Sequence, residues 1–188
     1  MRSPFYFIVE PLEGKRYDNT RKFGDVDFVI SSSQEDHTVT QRQAIVVATP
    51  SGYNGPIRDG DTVIVHHNVF RKYYDMKGRE KDSFSFLREG TYFLDDTQFY
   101  AYKQDGEWHS INGYNFVRPV IKEHVGFQFD TDKYIEHAGE MVICSDYMKS
   151  IGIDKGCLVG FKEDSEYEFR IDEEILYRMQ DNRIVVTL

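Results

Sequence analysis

The sequence is short of the residues that build long helices. Its 188 residues include four alanines and six leucines, against 14 phenylalanines and 13 tyrosines. Alanine and leucine are strong helix formers, whereas aromatic and β-branched side chains fit a pleated surface, so this mix favours strands. Cysteine is scarce too. Cys144 and Cys157 are the only two, too few for a disulfide framework and too far apart for a redox pair. They read as buried free thiols on strands, in a reducing compartment. No apolar run approaches membrane-spanning length. The opening stretch, MRSPFYFIVEP, lacks the apolar core of a signal peptide and reads as a first strand closed by Pro11. Positive charge is also in deficit: 23 Lys and Arg against 32 Asp and Glu leave a net charge of −9. That balance argues against a nucleic-acid groove or an anionic membrane as the main partner.

Enzyme chemistry is missing at the level of motifs. There is no G-x-S-x-G, no phosphate loop and no dinucleotide fingerprint. His66 and His67 are adjacent on an expected strand, which would send their side chains to opposite faces and deny them a shared metal. His37, His109, His124 and His137 are scattered without ligand spacing, so no metal is expected. Asp95-Asp96 and Asp172-Glu173-Glu174 could suggest acid–base work. They fall at what read as equivalent turns of a repeat, where acidic residues serve turn geometry. The expectation is a protein that is not an enzyme and needs no cofactor.

What the sequence does have is a strand–turn–strand that occurs twice. Ala44–Val65 lies without a gap on Glu140–Phe161 at a shift of 96 residues. Val46 then meets Val142, Ile57 meets Ile153, Gly60 meets Gly156 and Val63 meets Val159. A fixed turn glycine beside in-register apolar strands is the mark of a duplicated β-unit. The flanks agree. Val9 and Pro11 match Val117 and Pro119, and residues 91–102 match 167–178 at a shift of 76, placing Asp96 on Asp172. The chain therefore reads as two tandem domains, 1–111 and 112–188, joined near the Asn112-Gly113 turn. Copy one carries an extra hairpin over 69–89, turning at Lys77-Gly78.

Residues 12–43 form the other large difference, since the matching stretch of copy two is 12 residues shorter. The stretch is charged at first, holds one apolar island at Val26–Ile30, and then turns polar. A connection this long is usually functional. It is either an ordinary surface loop with one extra strand or a mobile loop that offers Phe28, Val29 and Ile30 to a groove on a partner.

This order of elements resembles the GroES-type co-chaperonin family. The residues that carry the resemblance are Phe7–Pro11, the tripeptide Phe28-Val29-Ile30, and Ala44–Thr49 (AIVVAT). They continue with Arg58–Val63 (RDGDTV) and Tyr92–Tyr102 (YFLDDTQFYAY). Copy two keeps Lys155–Val159 and Ile171–Leu176. The resemblance implies an all-β chain of two GroES-like, partly open β-barrels. It also implies a homo-oligomeric ring that caps an ATP- or ADP-bound GroEL-type chaperonin through Phe28, Val29 and Ile30. Three features depart from the family pattern. Pro50–Arg58 is too short for a roof hairpin, as in viral members of the family. Asp27 stands where the family usually has glycine. Copy two offers only Val125, Phe127 and Phe129, which alternate with small or polar residues like an ordinary strand. A phage-encoded protein working in the cytoplasm of a bacterial host would fit these departures. The alternative is a tandem β-barrel structural or assembly protein, such as a virion component, that binds no chaperonin.

Overall fold

The computed structural model describes residues 3–29, 31, 36, 38–122, 134–172 and 174–188. Among these residues the chain forms seventeen strands and a single α-helix of five residues. The fold class is all-β, as the composition predicts. The chain divides into two compact units, Met1–Gly106 and Glu107–Leu188.

The first unit is built on β1 (Phe7–Pro11), β4 (Gln43–Ala48), β5 (Thr62–Val65), β8 (Phe86–Arg88), β9 (Thr91–Leu94) and β10 (Phe99–Gln104). Two small hairpins stand apart from this sheet: β2 (Thr20–Phe23) with β3 (Val26–Val29), and β6 (Tyr73–Tyr74) with β7 (Glu80–Lys81). The sheet order is β10-β5-β4-β1-β9-β8. Strand β11 (Glu107–Ser110) follows the Asp105-Gly106 turn and opens the second unit. Strand β4 alternates strictly: Ala44, Val46 and Ala48 are buried while Ile45 and Val47 face out. Aromatic rings close the core edge to face. Phe7 meets Phe99 at 4.7 Å between centroids, and Phe70 meets Tyr92 at 4.8 Å.

The second unit holds β12 (Tyr114–Ile121), β13 (Tyr134–Ile143), helix α1 (Asp146–Ser150), β14 (Leu158–Phe161), β15 (Tyr167–Ile171), β16 (Glu174–Gln180) and β17 (Ile184–Thr187). Its sheet order is β17-β14-β13-β12-β16-β15. Strand for strand this is the order of the first unit. Even the irregularities agree. Val47 and Val142 are each an extra residue against the first strand of their unit, and Tyr100 and Val185 each bulge the last strand. Bulges at matched positions in matched sheets are designed features of one repeated unit.

The strand pairing corrects two registers of the repeat. In the first unit, Gly60 donates to Val46 O and Val46 donates to Asp61 O. In the second, Gly156 donates to Met141 O and Met141 donates to Cys157 O. Val46 therefore corresponds to Met141, a shift of 95, and not to Val142. The ungapped match of the whole stretch is off by one through its first strand. A one-residue slip reverses which side chains face the core: Val46 and Met141 are buried, whereas Val142 is only partly so. The extra residue sits in the connection that α1 occupies, where Ser145 Oγ caps the helix by accepting from Met148 N at 3.1 Å. The turn glycines do correspond, with φ of 94° at Gly60 and 88° at Gly156, a region that favours glycine.

The second correction is larger. Tyr92 pairs with Val9, and Tyr177 pairs with Val117. The last segments therefore match at a shift of 85, which puts Asp96 on Asp181 and Phe99 on Ile184. Asp172 lies in the turn that closes the β15–β16 hairpin, and Glu89-Gly90 make the corresponding turn between β8 and β9. The acidic pairs are not at equivalent turns. Both segments are an aromatic strand, an acidic turn and a second strand, and acidic residues serve any such turn.

Two smaller expectations also change. The strand ends at Val65, and His66 caps the short 3₁₀ turn His67–Val69 by accepting from Asn68 N at 3.0 Å. The two imidazoles lie together, 4.1 Å between centroids, and not on opposite faces of a strand. Cys144 and Cys157 are free thiols, as expected, but each sits just outside a strand, Cys144 buried and Cys157 partly so.

Candidate functional site

The long connection of the first unit folds into a hairpin on a fixed base. Strands β2 and β3 pair as Thr20–Val29, Arg21–Phe28, Lys22–Asp27 and Phe23–Val26. Only Gly24-Asp25 separates the arms. Gly24 has φ of 63° and Asp25 is not among the residues of positive φ. That is the two-residue turn with glycine first, whose twist suits a hairpin. The sequence left open a surface loop with one extra strand or a mobile loop, and neither reading foresaw a two-stranded hairpin. The partner arm, Thr20–Phe23, has two basic residues and a single apolar one, too little for a strand signal of its own.

Phe28 and Val29 lie on β3 and are exposed, Phe28 at 53% and Val29 at 66%. Ile30 lies outside the described residues, as do Val125, Phe127 and Phe129 of the second copy. Neighbouring residues of a strand face opposite ways. Phe28 and Val29 therefore do not share a face. Phe28 shares one with Val26, which is 56% exposed. In sequence Val26 belongs to the apolar island but not to the docking tripeptide, although the Val-x-Phe alternation sets it beside Phe28.

The base of the hairpin is tied by backbone and side chains. Asp18 donates to Val39 O at 2.7 Å, Gln41 donates to Arg16 O at 2.9 Å, and Tyr17 bridges Thr40. Val39, Thr40 and Arg42 are buried here. Asn19 Nδ2 donates to Ser31 O at 3.0 Å, and Asp36 accepts from both the N–H and the hydroxyl of Thr38.

Arg16 and Tyr17 then join this base to the 69–89 insertion. Arg16 Nη1 lies 2.6 Å from Asp82 Oδ1, and its Nε donates to Phe70 O at 3.0 Å. Its guanidinium also stands over the Tyr92 ring, 5.5 Å from the centroid. Tyr17 OH accepts from Lys72 N at 2.9 Å. Burial pushes the Tyr92 phenol up to about 12, with the Arg16 charge pulling the other way. The insertion is itself a hairpin. Asp75 accepts from the N–H groups of Lys77 and Arg79, which holds its carboxyl below the usual range, and Gly78 turns at φ of 72°. The two features that distinguish copy one from copy two in sequence, the long connection and the extra hairpin, are thus one assembly. Arg16 and Tyr17 carried no recognisable pattern beforehand, because their partners lie more than fifty residues away.

Among the described residues no group of three or more His, Cys, Asp or Glu is placed to hold a metal ion, and no helix is long and apolar enough to cross a membrane. The buried polar cluster of the second unit is a structural latch. Asn115 Nδ2 and Ser145 Oγ both donate to Asp181 Oδ1, at 2.7 and 2.5 Å, while Asn115 Oδ1 accepts from Ser145 N at 2.8 Å. Every member has a partner, as buried polar groups require. What the first unit presents is a small apolar surface on a two-stranded hairpin. No family model matches this chain, and no match is found among curated proteins.

Proposed function

We propose that this protein is a co-chaperonin-like adaptor whose β2–β3 hairpin docks on a GroEL-type chaperonin ring and caps its chamber. The observation that carries the reading is the exposure of Val26, Phe28 and Val29 on a hairpin outside the main sheet, above a pinned base. Exposed apolar side chains grouped on one element mark an interaction surface. Ile30 extends the same apolar run in sequence. Docking each large side chain is worth roughly 1.5–3 kcal/mol before ordering costs, so one hairpin binds weakly. Several copies in a homo-oligomer, a ring as the resemblance implies, restore avidity through effective concentration. In this reading each unit is a GroES-like, partly open barrel, and the second unit is scaffold. Nucleotide hydrolysis belongs to the partner, and the setting is the cytoplasm, that of a bacterial host if a phage encodes the protein.

The strand geometry refines which residues engage. A groove that grips one face of an extended strand takes Val26 and Phe28 together, while Val29 faces away. Phe28→Asp should then weaken binding to a GroEL-type ring far more than Val29→Asp. Equal losses from both would mean that the segment binds in some other conformation. Loss from neither would remove the hairpin from the interaction.

A further inference from the structure

We propose that a cleft in the first unit binds a small planar organic anion, a ring that carries a carboxylate or a phosphate. The cleft is formed by the 69–89 insertion and by two short turns, His67–Val69 and Asp96–Gln98. It holds about 310 Å³, within the size range of pockets that take small molecules. It lies wholly within the first unit and uses the insertion that copy two lacks. Nothing in it depends on chaperonin binding.

The buried part of the lining is polar. Ser85, just before β8, lines the cleft and is only 7% exposed. Its hydroxyl has no hydrogen-bond partner among the described residues. The large majority of buried polar groups do have one, so a hydroxyl left over beside a cleft points to a group supplied from outside the chain. Gln98 is half committed. Its Oε1 accepts from Asp95 N at 3.2 Å in the capping box of the second turn, which leaves the Nε2 donors for the cleft. Ser83 Oγ donates to Val69 O at 2.5 Å, which ties the insertion to the first turn and leaves its oxygen able to accept. Asn68, exposed, adds a second side-chain amide.

Charge decides the class of ligand. The chain as a whole is acidic, at −9, yet among the described residues the lining includes the Arg71 guanidinium and no carboxylate. Asp82, next in sequence to Ser83, is held by Arg16 at 2.6 Å. A partly buried guanidinium among hydroxyl and amide donors suits a carboxylate or a phosphate, whose oxygens it meets with two parallel N–H groups. The rest of the lining is aromatic. Tyr73 is 38% exposed and Phe84 96%. Exposed rings beside a polar cleft offer flat faces on which a planar ligand stacks. The anionic end then belongs with Arg71 and Ser85, and the ring with Tyr73 and Phe84.

Calorimetric titration of the whole chain with benzoate and with adenosine monophosphate tests this, with benzamide and adenosine as their uncharged counterparts. At least one anion is expected to bind, and its uncharged counterpart at least about tenfold more weakly. Binding of benzoate alone would assign a carboxylate ligand, and binding of the nucleotide alone a phosphate; either supports the site. Ser85→Ala should weaken the anion about fivefold while the urea midpoint holds or rises, because the hydroxyl removed has no partner in the chain to lose. Phe84→Ala, at a side chain almost fully exposed, should weaken binding with the midpoint unchanged. Arg71→Gln should weaken it at least about tenfold, with Arg71→Lys restoring part of the loss. No binding of either anion up to about 10 mM overturns the proposal. So does binding that the uncharged counterparts match, or binding that survives Ser85→Ala, Phe84→Ala and Arg71→Gln alike.

Discussion

Replacing Arg16 with methionine should loosen the base of the β2–β3 hairpin while leaving both main sheets intact. Arg16 is largely buried, its side chain 15% exposed, and Asp82 opposite is 37% exposed. The substitution removes a charged hydrogen bond at 2.6 Å and a second bond to the Phe70 carbonyl at 3.0 Å. Hydrogen bonds to charged groups are worth about 1.5–3 kcal/mol, but Asp82 can regain water on its exposed side, so the net cost is about 2 kcal/mol. Methionine keeps most of the packing against Tyr92, which confines the loss to the polar contacts. The readout is amide hydrogen exchange at Asp18 and Gln41, whose N–H groups close the base. A cost of about 2 kcal/mol raises their opening roughly thirtyfold. The Met141 amide, in the second unit, should not respond. Asp82→Asn should give a smaller change, and the double variant should recover about 1 kcal/mol of coupling. If the Asp18 and Gln41 amides keep their protection in Arg16→Met, the stitching of the two loops is not what holds the hairpin.

Three other outcomes follow from the second unit. Asp181→Ala strands the buried Asn115 amide and the Ser145 hydroxyl, and should cost about 2–3 kcal/mol in urea unfolding, with Asp181→Asn recovering part of it. Gly139→Ala would set a Cβ 2.2 Å from Val117 Cγ1 and 2.8 Å from the Arg118 carbonyl, so it should destabilise this unit, with a lowered midpoint as the measure. Burial pushes the Cys144 thiol from 9.0 up to about 11. A raised pKa means that the folded state keeps its proton longer than the unfolded chain. The stabilisation is complete below pH 9 and is lost as pH rises from 9 to 11. Chemical unfolding across that range should show the decline, and Cys144→Ala should flatten it.

The repeat was legible because its evidence is local. A turn glycine, in-register β-branched residues and a shared strand order survive divergence. Its exact register was less so. The extra residue in the α1 connection leaves the composition of the stretch almost unchanged, yet it moves Val46 from Val142 to Met141 and decides which residue is buried. The shift of 76 failed for a related reason: two acidic turns look alike in sequence, and only the strand pairing separates Asp172 from Asp96. The candidate site was half readable. Phe28 and Val29 announced themselves as apolar residues in a polar connection. The charged arm that pairs with them did not. Nor did the Arg16–Asp82 link, because contacts across so long a separation leave no spacing to read.

The central claim is that the first unit's hairpin engages a chaperonin. It is tested most directly by capture on an immobilised GroEL-type ring with and without nucleotide, comparing wild type with the paired substitution Phe28→Asp and Ile30→Asp. The account predicts retention of wild type only when nucleotide is present, and its loss in the paired variant. Retention unaffected by the pair would contradict the hairpin's role. Failure of wild type to bind any ring tested would contradict the co-chaperonin reading itself and favour a tandem-barrel assembly protein.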